Sequence, residues 1–461
     1  MVDATLSRID NEMEQNLNRL FEFLKIKSIS TDPEFKKDCA KAADWLVEDL
    51  KSFGVKAQKY ETDGHPIVHG HLGSNKGPHV LFYGHYDVQP IDPLELWAND
   101  PFEPAIEQLP SGPVIRARGS SDDKGQLMTF VEACRAWVKQ NEALPFKVTF
   151  FFEGEEESGS PNLVPFMKKH KKEISSDIVL ICDTGLFESR VPSIVTRLRG
   201  LLKEEIIITG PDKDLHSGMY GGIAVNPARI LTCILSKLHD EDGAVTIPDF
   251  YDGVPELPQN ILDQWLGLNF KHDQFLADVG LSTPAGEKDR SALEMLWSRP
   301  TCEINGIKAG YIGEGFKTVL PAQASAKISF RLVANQDPLK IRKKFRNMVK
   351  DLLPDDCQVF FKEHEASKAS QMDISSPEFE KAREAISEEW GIEAAFIGCG
   401  GSIPIAGYFQ KITGVDPMLI GFAKDDDQIH SPNEKYDLES FRKGIRSWVR
   451  VINSFSELQN V

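Results

Sequence analysis

The stretch KVTFFFEGEEESGS, residues 147–160, decides how the chain is read. Its first half is an unbroken apolar and aromatic run, too uniformly hydrophobic for a half-exposed strand and short enough for a buried one. Its second half places four glutamates, Glu153, Glu155, Glu156 and Glu157, within five residues. Clustered carboxylates at the end of a buried strand repel one another unless a cation or a set of donors holds them.

Working outward, the same form recurs. HVLFYGHYD (79–87), DIVLICDTG (177–185) and PMLIGFAKDDDQIH (417–430) are apolar runs of strand length that also end in acids or a histidine. Helical patterns separate them, such as GQLMTFVEACRAWV (125–138), in which Leu127, Phe130, Val131, Cys134 and Trp137 make one face. This alternation predicts an α/β fold with a mostly parallel sheet covered on both sides. From 197 to 367 the rhythm changes. Strand patterns at 202–209, 301–310, 324–334 and 357–365 interleave with helical ones at 226–240 and 337–353. The order β-α-β-β-α-β is that of a ferredoxin-like α+β unit. The expectation is a catalytic domain from 1–196 and 368–461, with a lid or dimerisation domain at 197–367 inserted into it. Residues 241–300, rich in prolines and aromatics, form an elaboration inside the insert.

A chain of 461 residues exceeds one ordinary core, in keeping with two domains. The formal charge of −17 and the absence of any basic block argue against nucleic acid or an anionic membrane as partner. Seven scattered cysteines without a C-x-x-C pair read as reduced thiols, and the acidic, amphipathic N-terminus lacks the pattern of a signal peptide. The expected address is cytoplasmic, and no stretch of about 18 apolar residues suggests a membrane span.

In open parallel sheets, ligand sites gather at the carboxyl ends of the strands. There the sequence puts His85 and Asp87, the glutamates 153–157, Asp183, and the run Asp425 to His430. Asp122 and Asp123, in RGSSDDKG, precede a helix whose dipole favours carboxylates. Each signal alone describes a structural histidine or a solvated acidic face more often than a site. Five of them ending five elements of one sheet point to a metal centre with mixed oxygen and nitrogen ligands, suited to zinc, manganese or cobalt. Other candidates fail. His69 and His71 fit the outward face of a strand, RGSSDDKG lacks the spacing of a phosphate loop, and Ser120 and Ser121 have no visible histidine–acid arrangement around them.

The motifs GHYDVQP, RGSSDDKG, EGEEESGS, CDTG and DDDQIHSPNEK, in that order, resemble the co-catalytic di-zinc metallopeptidases that include carnosinase and cytosolic non-specific dipeptidase. DLHSGMYGG (214–222), the segment 299–333 and GGSIPI (400–405) extend the likeness through nearly the whole chain. The resemblance implies two zinc ions per subunit, with Mn2+ or Co2+ as alternatives, bridged by Asp122. His85 and Asp183 complete one site, Glu157 and His430 the other. Asp87 orients the His85 imidazole, and the Asp122–Asp123 bond is cis. Glu156 becomes the general base and Glu157 a ligand, while Glu153 and Glu155 receive no catalytic task and are taken as supporting or solvated. His216 stabilises the oxyanion in the partner subunit of a homodimer, with Thr318 beside it. Arg331 holds the substrate's C-terminal carboxylate, and Gly401 and Ser402 line the same pocket.

Two departures qualify the implied substrate, a dipeptide. Carnosinase-type enzymes carry Arg-Glu before GGS, the glutamate recognising the free α-amino group, whereas this chain has Gly398 and Cys399. CDTGLFE also lacks the aromatic that follows the family's Asp-Asn pair. These favour keeping a deacylase of N-acyl or N-carbamoyl amino acids as an alternative, and an inactive dimeric scaffold as a remoter one.

Overall fold

A computed structural model describes residues 1–74, 76–401 and 403–458. The chain divides into two compact units, Met1–Thr196 with Met372–Phe396 and Tyr408–Val461, and Arg197–Gln371 with Ile397–Gly407.

The first unit is α/β. The strands His79–His85, Lys147–Glu153, Ile178–Ile181 and Pro417–Ile420 run parallel to their neighbours at the middle of the sheet. Antiparallel strands flank them, Ile67–Leu72 and Lys56–Tyr60 on one side and Ser193–Leu198 on the other. The mostly parallel expectation therefore describes the centre of the sheet and not its margins. Phe82, Phe150, Phe151 and Phe152 are fully buried, each removing apolar surface worth about 1.5–3 kcal/mol. The Phe82 ring stacks on Phe130 at 3.9 Å, and Trp448 meets both edge-on. The helix Lys124–Asn141 is buried continuously from Lys124 to Trp137 rather than along one face. Its far side is covered by the C-terminal helix Leu438–Phe455 and the N-terminal helices Val2–Asn11 and Met13–Leu24. Trp448 donates its indole N–H to Thr129 Oγ1 at 2.9 Å, which satisfies the polar groups this burial would strand.

The second unit is α+β. Its sheet has the order Thr301–Ala309, Gln323–Leu332, Gly200–Thr209, Gln358–Ser367, all antiparallel. The helices Pro227–Leu235 and Pro338–Asp351 start at Asn226 and Asp337, whose side chains accept backbone N–H bonds, each followed by proline at the first helical position. They cover one sheet face around Leu202, Ile206, Ile208, Phe330 and Phe345. The segment Ile397–Gly407 packs with this unit, although the expected bounds assign it to the catalytic domain. Its attachment is local: Arg199 donates its backbone N–H to Gly401 O (3.1 Å) and its Nε to Gly400 O (3.0 Å).

Candidate metal centre

Strand geometry brings the motifs together. His85 ends its strand directly opposite Glu153 in the parallel register. The neighbouring chain then turns at Gly154, where a Cβ would lie 2.3 Å from the Tyr86 ring, so only glycine can pass. The turn leads into a short 3-10 segment, Glu156–Ser158. Asp87, fully buried, holds both sides of this arrangement. Its Oδ1 lies 3.3 Å from His85 Nδ1 and accepts from the Glu156 N–H (3.2 Å), while Oδ2 accepts from the Glu157 N–H (3.0 Å). Asp87 thus holds the histidine ring, whose Nδ1 also lies 3.1 Å from the Asp87 backbone carbonyl, and the backbone of both glutamates.

Two groups of potential ligands share Asp122: His85, Asp122 and Asp183, and Asp122, Glu157 and His430. His85 Nε2 is 3.2 Å from Asp122 Oδ1 and 3.8 Å from Asp183 Oδ2. His430 Nε2 is 2.9 Å from Asp122 Oδ2 and 3.2 Å from Glu157 Oε2. Asp122 therefore turns one oxygen to each group. The Asp122–Asp123 peptide is cis. Asp123, fully buried, accepts the His85 N–H at 3.0 Å, and burial pushes its carboxyl well above the usual range.

The electrostatics favour positive charge at this point. Burial pushes the Asp183 carboxyl well up. Hydrogen bonds with Asp122 and Glu157 push His430 up to about 10. Burial works against a charge on His85, yet Asp122 and Asp87 raise it well above the ordinary imidazole value. The carboxylates recruit protons onto the histidines, as a cluster does when it is built for a cation. Two buried atoms of the cluster residues, His85 Nε2 and Glu157 Oε1, have no hydrogen-bond partner among the described residues. A divalent ion in each group would engage both, so the donor set fits metal.

Glu156 lies at the edge of the cluster, and no hydrogen bond from a described residue engages its carboxylate. Burial pushes its pKa up; His85 opposes this, and Glu157, Asp87 and Asp122 add to it. The two glutamates without a task are buried rather than solvated. Glu153 accepts the Tyr83 hydroxyl at 2.5 Å, and burial pushes its pKa up to about 8. Glu155 receives the His65 N–H (3.0 Å) and the side-chain amide of Asn162 (2.9 and 3.0 Å). Both brace the loop.

Of the acidic run 425–430, only His430 reaches the cluster. Asp425 accepts from Ser189 Oγ, while Asp426 and Asp427 each lie 2.8 Å from Lys435 Nζ, as does Asp437. That second group of carboxylates already has its cation, a lysine. His69 is buried against Tyr60 while His71 is exposed, so the pair does not form one outward face.

Sequence reasoning missed Glu434. It is fully buried, and its Oε1 accepts from the N–H groups of Ser121 (2.9 Å) and Asp122 (3.0 Å). Its Oε2 accepts from Gly119 N (2.8 Å) and Arg118 Nη1 (2.8 Å). The loop that presents Asp122 hangs on this one carboxylate. Only the pairing of Lys435–Asp437 with Gly112–Arg116 brings it there, so no local sequence signal announces it.

The remaining predicted residues belong to the second unit. His216 pairs with Val319 across two short strands, next to the exposed Thr318. Its Nδ1 accepts from the Gly218 N–H at 3.1 Å, which leaves the neutral ring's proton on the exposed Nε2, a donor. Arg331 stands on the strand Gln323–Leu332 opposite Leu201 and Thr301. Gly401 donates its N–H to Cys399 Sγ at 3.4 Å. Ser402 lies outside the described residues. At the first departure from the dipeptidase pattern, a Cβ on Gly398 would fall 2.4 Å from Trp297 Cβ. Trp297 fills the space that a larger residue at 398 would need.

Comparison with known proteins agrees with this frame. The family model for peptidase family M20/M25/M40 matches residues 81–454. The Cys-Gly metallodipeptidase of Schizosaccharomyces pombe is 29% identical, covering 99% of both chains. Among solved structures, human carnosine dipeptidase 1 is 25% identical with a TM-score of 0.75, covering 99% of both chains. An M20-family metallo-carboxypeptidase from Sulfolobus solfataricus is 31% identical with a TM-score of 0.78, covering 96% of this chain and 99% of its own. With the match running from the strand that ends in His85, through every residue of the ligand cluster, to the C-terminal helix, the chain belongs to peptidase family M20/M25/M40.

Proposed function

We propose that the protein is a metal-dependent dipeptidase working with two divalent ions per subunit, zinc in the first instance and Mn2+ or Co2+ as alternatives. One observation carries the reading: two three-residue ligand groups share Asp122, and Glu156 stands free beside them. Two ions held by these groups would act as Lewis acids toward the attacking water and the scissile carbonyl. Glu156, its basicity raised by burial, takes a proton from that water and returns it to the leaving amine. Asp87 keeps the His85 ring and the Glu156–Glu157 backbone in place throughout. His216 offers its Nε2–H to the oxyanion, assisted by Thr318, and Arg331 receives the substrate's terminal carboxylate beside Gly401.

The oxyanion role of His216 is assigned in trans, within a homodimer. Met219, Ile223, Ile312 and Phe316 support self-association, since all are strongly exposed apolar side chains of the second unit. Seven free cysteines are in keeping with a reducing, cytoplasmic setting. No described helix is long and apolar enough to cross a membrane.

A second reading, hydrolysis of N-acyl or N-carbamoyl amino acids, has its own observation. Trp297 occupies the space beside Gly398, and Cys399 stands where the resembling dipeptidases carry the amine-binding glutamate. Initial rates on Ala-Ala, N-acetyl-Ala and N-carbamoyl-Ala, with Zn2+ or Mn2+ added, separate the readings. Cleavage of Ala-Ala that disappears in Glu156→Gln, with two metals still bound, supports the dipeptidase assignment; a Glu156→Gln variant that still turns over refutes the role of the base.

A further inference from the structure

The corner of the second unit that carries Arg331 contains a second arginine, Arg199, with no carboxylate within ion-pair distance among the described residues. Arg199 immediately precedes the strand Gly200–Thr209, and Arg331 pairs with Leu201 two residues further on. Residues offset by two across a strand pair are diagonal neighbours, about 7–8 Å apart at Cα and within reach of long side chains. Both arginines are half-buried. Arg199 spends its Nε on Gly400 O and its backbone N–H on Gly401 O, which anchors the guanidinium, and among the described residues its two terminal nitrogens donate no hydrogen bond. The Arg331 guanidinium donates no hydrogen bond to a described residue, and neither arginine has a carboxylate within 4 Å among the described residues. Glu303, exposed, acts on Arg199 only from beyond ion-pair distance. Burial, reinforced by the charge of Arg331, pushes Arg199 down to about 10, as expected for like charges sharing a poorly hydrated corner.

The residues at 398–399 leave the two arginines uncompensated. Where the resembling dipeptidases place a glutamate, Cys399 contributes no fixed charge, and its Sγ is occupied by the Gly401 N–H. Trp297, packed on Gly398 and against Trp265, prevents a side chain at 398 from supplying one. The corner is left with two guanidinium groups. A single carboxylate compensates one of them, and a ligand with two carboxylates compensates both, each through charge-assisted bonds to a planar fork.

We propose that Arg199 and Arg331 form a paired-guanidinium pocket that selects substrates whose C-terminal residue is itself acidic, Arg331 taking the α-carboxylate and Arg199 the side-chain carboxylate of an aspartyl or glutamyl residue. This rests on the assignment of Arg331 as the carboxylate-binding residue of the reaction proposed above.

The metal-loaded full-length enzyme is assayed on Ala-Glu, Ala-Gln, Ala-Asp and Ala-Asn, with Ala-Ala as reference. The acidic members exceed their amides in kcat/KM on the order of tenfold or more, the discrimination expected from one charged hydrogen-bonded pair. In Arg199→Gln the Ala-Glu to Ala-Gln ratio falls to about one, and Arg199→Lys restores part of it. Equal rates for acid and amide in the wild type overturn the proposal, as does a ratio that survives Arg199→Gln. Calorimetric titration of the wild type with L-glutamate and L-glutamine decides the pocket independently of turnover and of variant folding. Tighter binding of glutamate supports it, and equal binding overturns it. If none of the dipeptides is cleaved while glutamate is still preferred, the reaction assignment fails and the pocket stands.

Discussion

Glu434→Gln perturbs the loop that presents Asp122 with almost no change in shape. Each carboxylate oxygen of Glu434 accepts two hydrogen bonds, one from Ser121 N and Asp122 N, the other from Gly119 N and Arg118 Nη1. An amide keeps one acceptor and turns an NH2 toward a pair of donors, so two bonds are lost whichever way it faces. If the NH2 faces Arg118, that guanidinium, 1% exposed, loses the carboxylate it is paired with. Its cation–π contact with Trp97 at 5.2 Å replaces little of that. Bonds to charged groups contribute about 1.5–3 kcal/mol each, and breaking a buried ion pair costs about 3–5 kcal/mol. The expected loss is about 3–5 kcal/mol, which for a unit of this size lowers its unfolding temperature by roughly 10 °C. Because the Asp122 N–H is one of the released donors, metal content falls as well. Differential scanning calorimetry of the metal-free protein and metal analysis of the reconstituted one measure the two effects. A shift below about 2 °C with full metal content would refute the claim that Glu434 holds this loop.

Glu153→Gln tests a buried acid through pH. The Glu153 carboxyl titrates near 8 in the folded chain against 4.5 for its unperturbed value, so between those pH values the unfolded state ionises while the folded state does not. The wild type should therefore lose stability relative to Glu153→Gln as pH rises from 4.5 to 8, on the order of 2–4 kcal/mol, with the difference flat outside that window. Parallel pH profiles of thermal unfolding would sink this. Gly398→Ala should destabilise the second unit by about 1–3 kcal/mol through overpacking against Trp297. Adding Trp297→Ala should recover part of that loss, so strictly additive effects in a double-mutant cycle would show that the two residues do not compete for space.

The sequence makes the central strands legible because burial on both faces leaves unbroken apolar runs, and the β-α-β-β-α-β insert legible because its elements are regular. The insert boundary is less so. Ile397–Gly407 joins the second unit through two backbone acceptors for Arg199 and a glycine under Trp297, contacts that leave no periodic trace. The positions of His85, Asp122, Glu157, Asp183 and His430 follow from strand ends and motif order. The residues by themselves do not distinguish Glu156 from Glu157; that division rests on the family pattern, and the backbone N–H groups of both bond to Asp87. For Glu153 and Glu155 the choice between supporting and solvated stays open in the sequence, because a sequence records charge and not burial. Glu434 and Arg199 stayed invisible because each acts on a loop distant in the chain.

In the proposed site, Asp122 is shared by two metal positions. Metal content per chain, determined by mass spectrometry after reconstitution with Zn2+ and removal of excess ion, tests it most directly. Two ions are expected in the wild type, one in Asp183→Asn, one in His430→Ala, and depletion of both in Asp122→Asn. A wild type that retains one ion or none, or an Asp122→Asn variant that retains two, would contradict it.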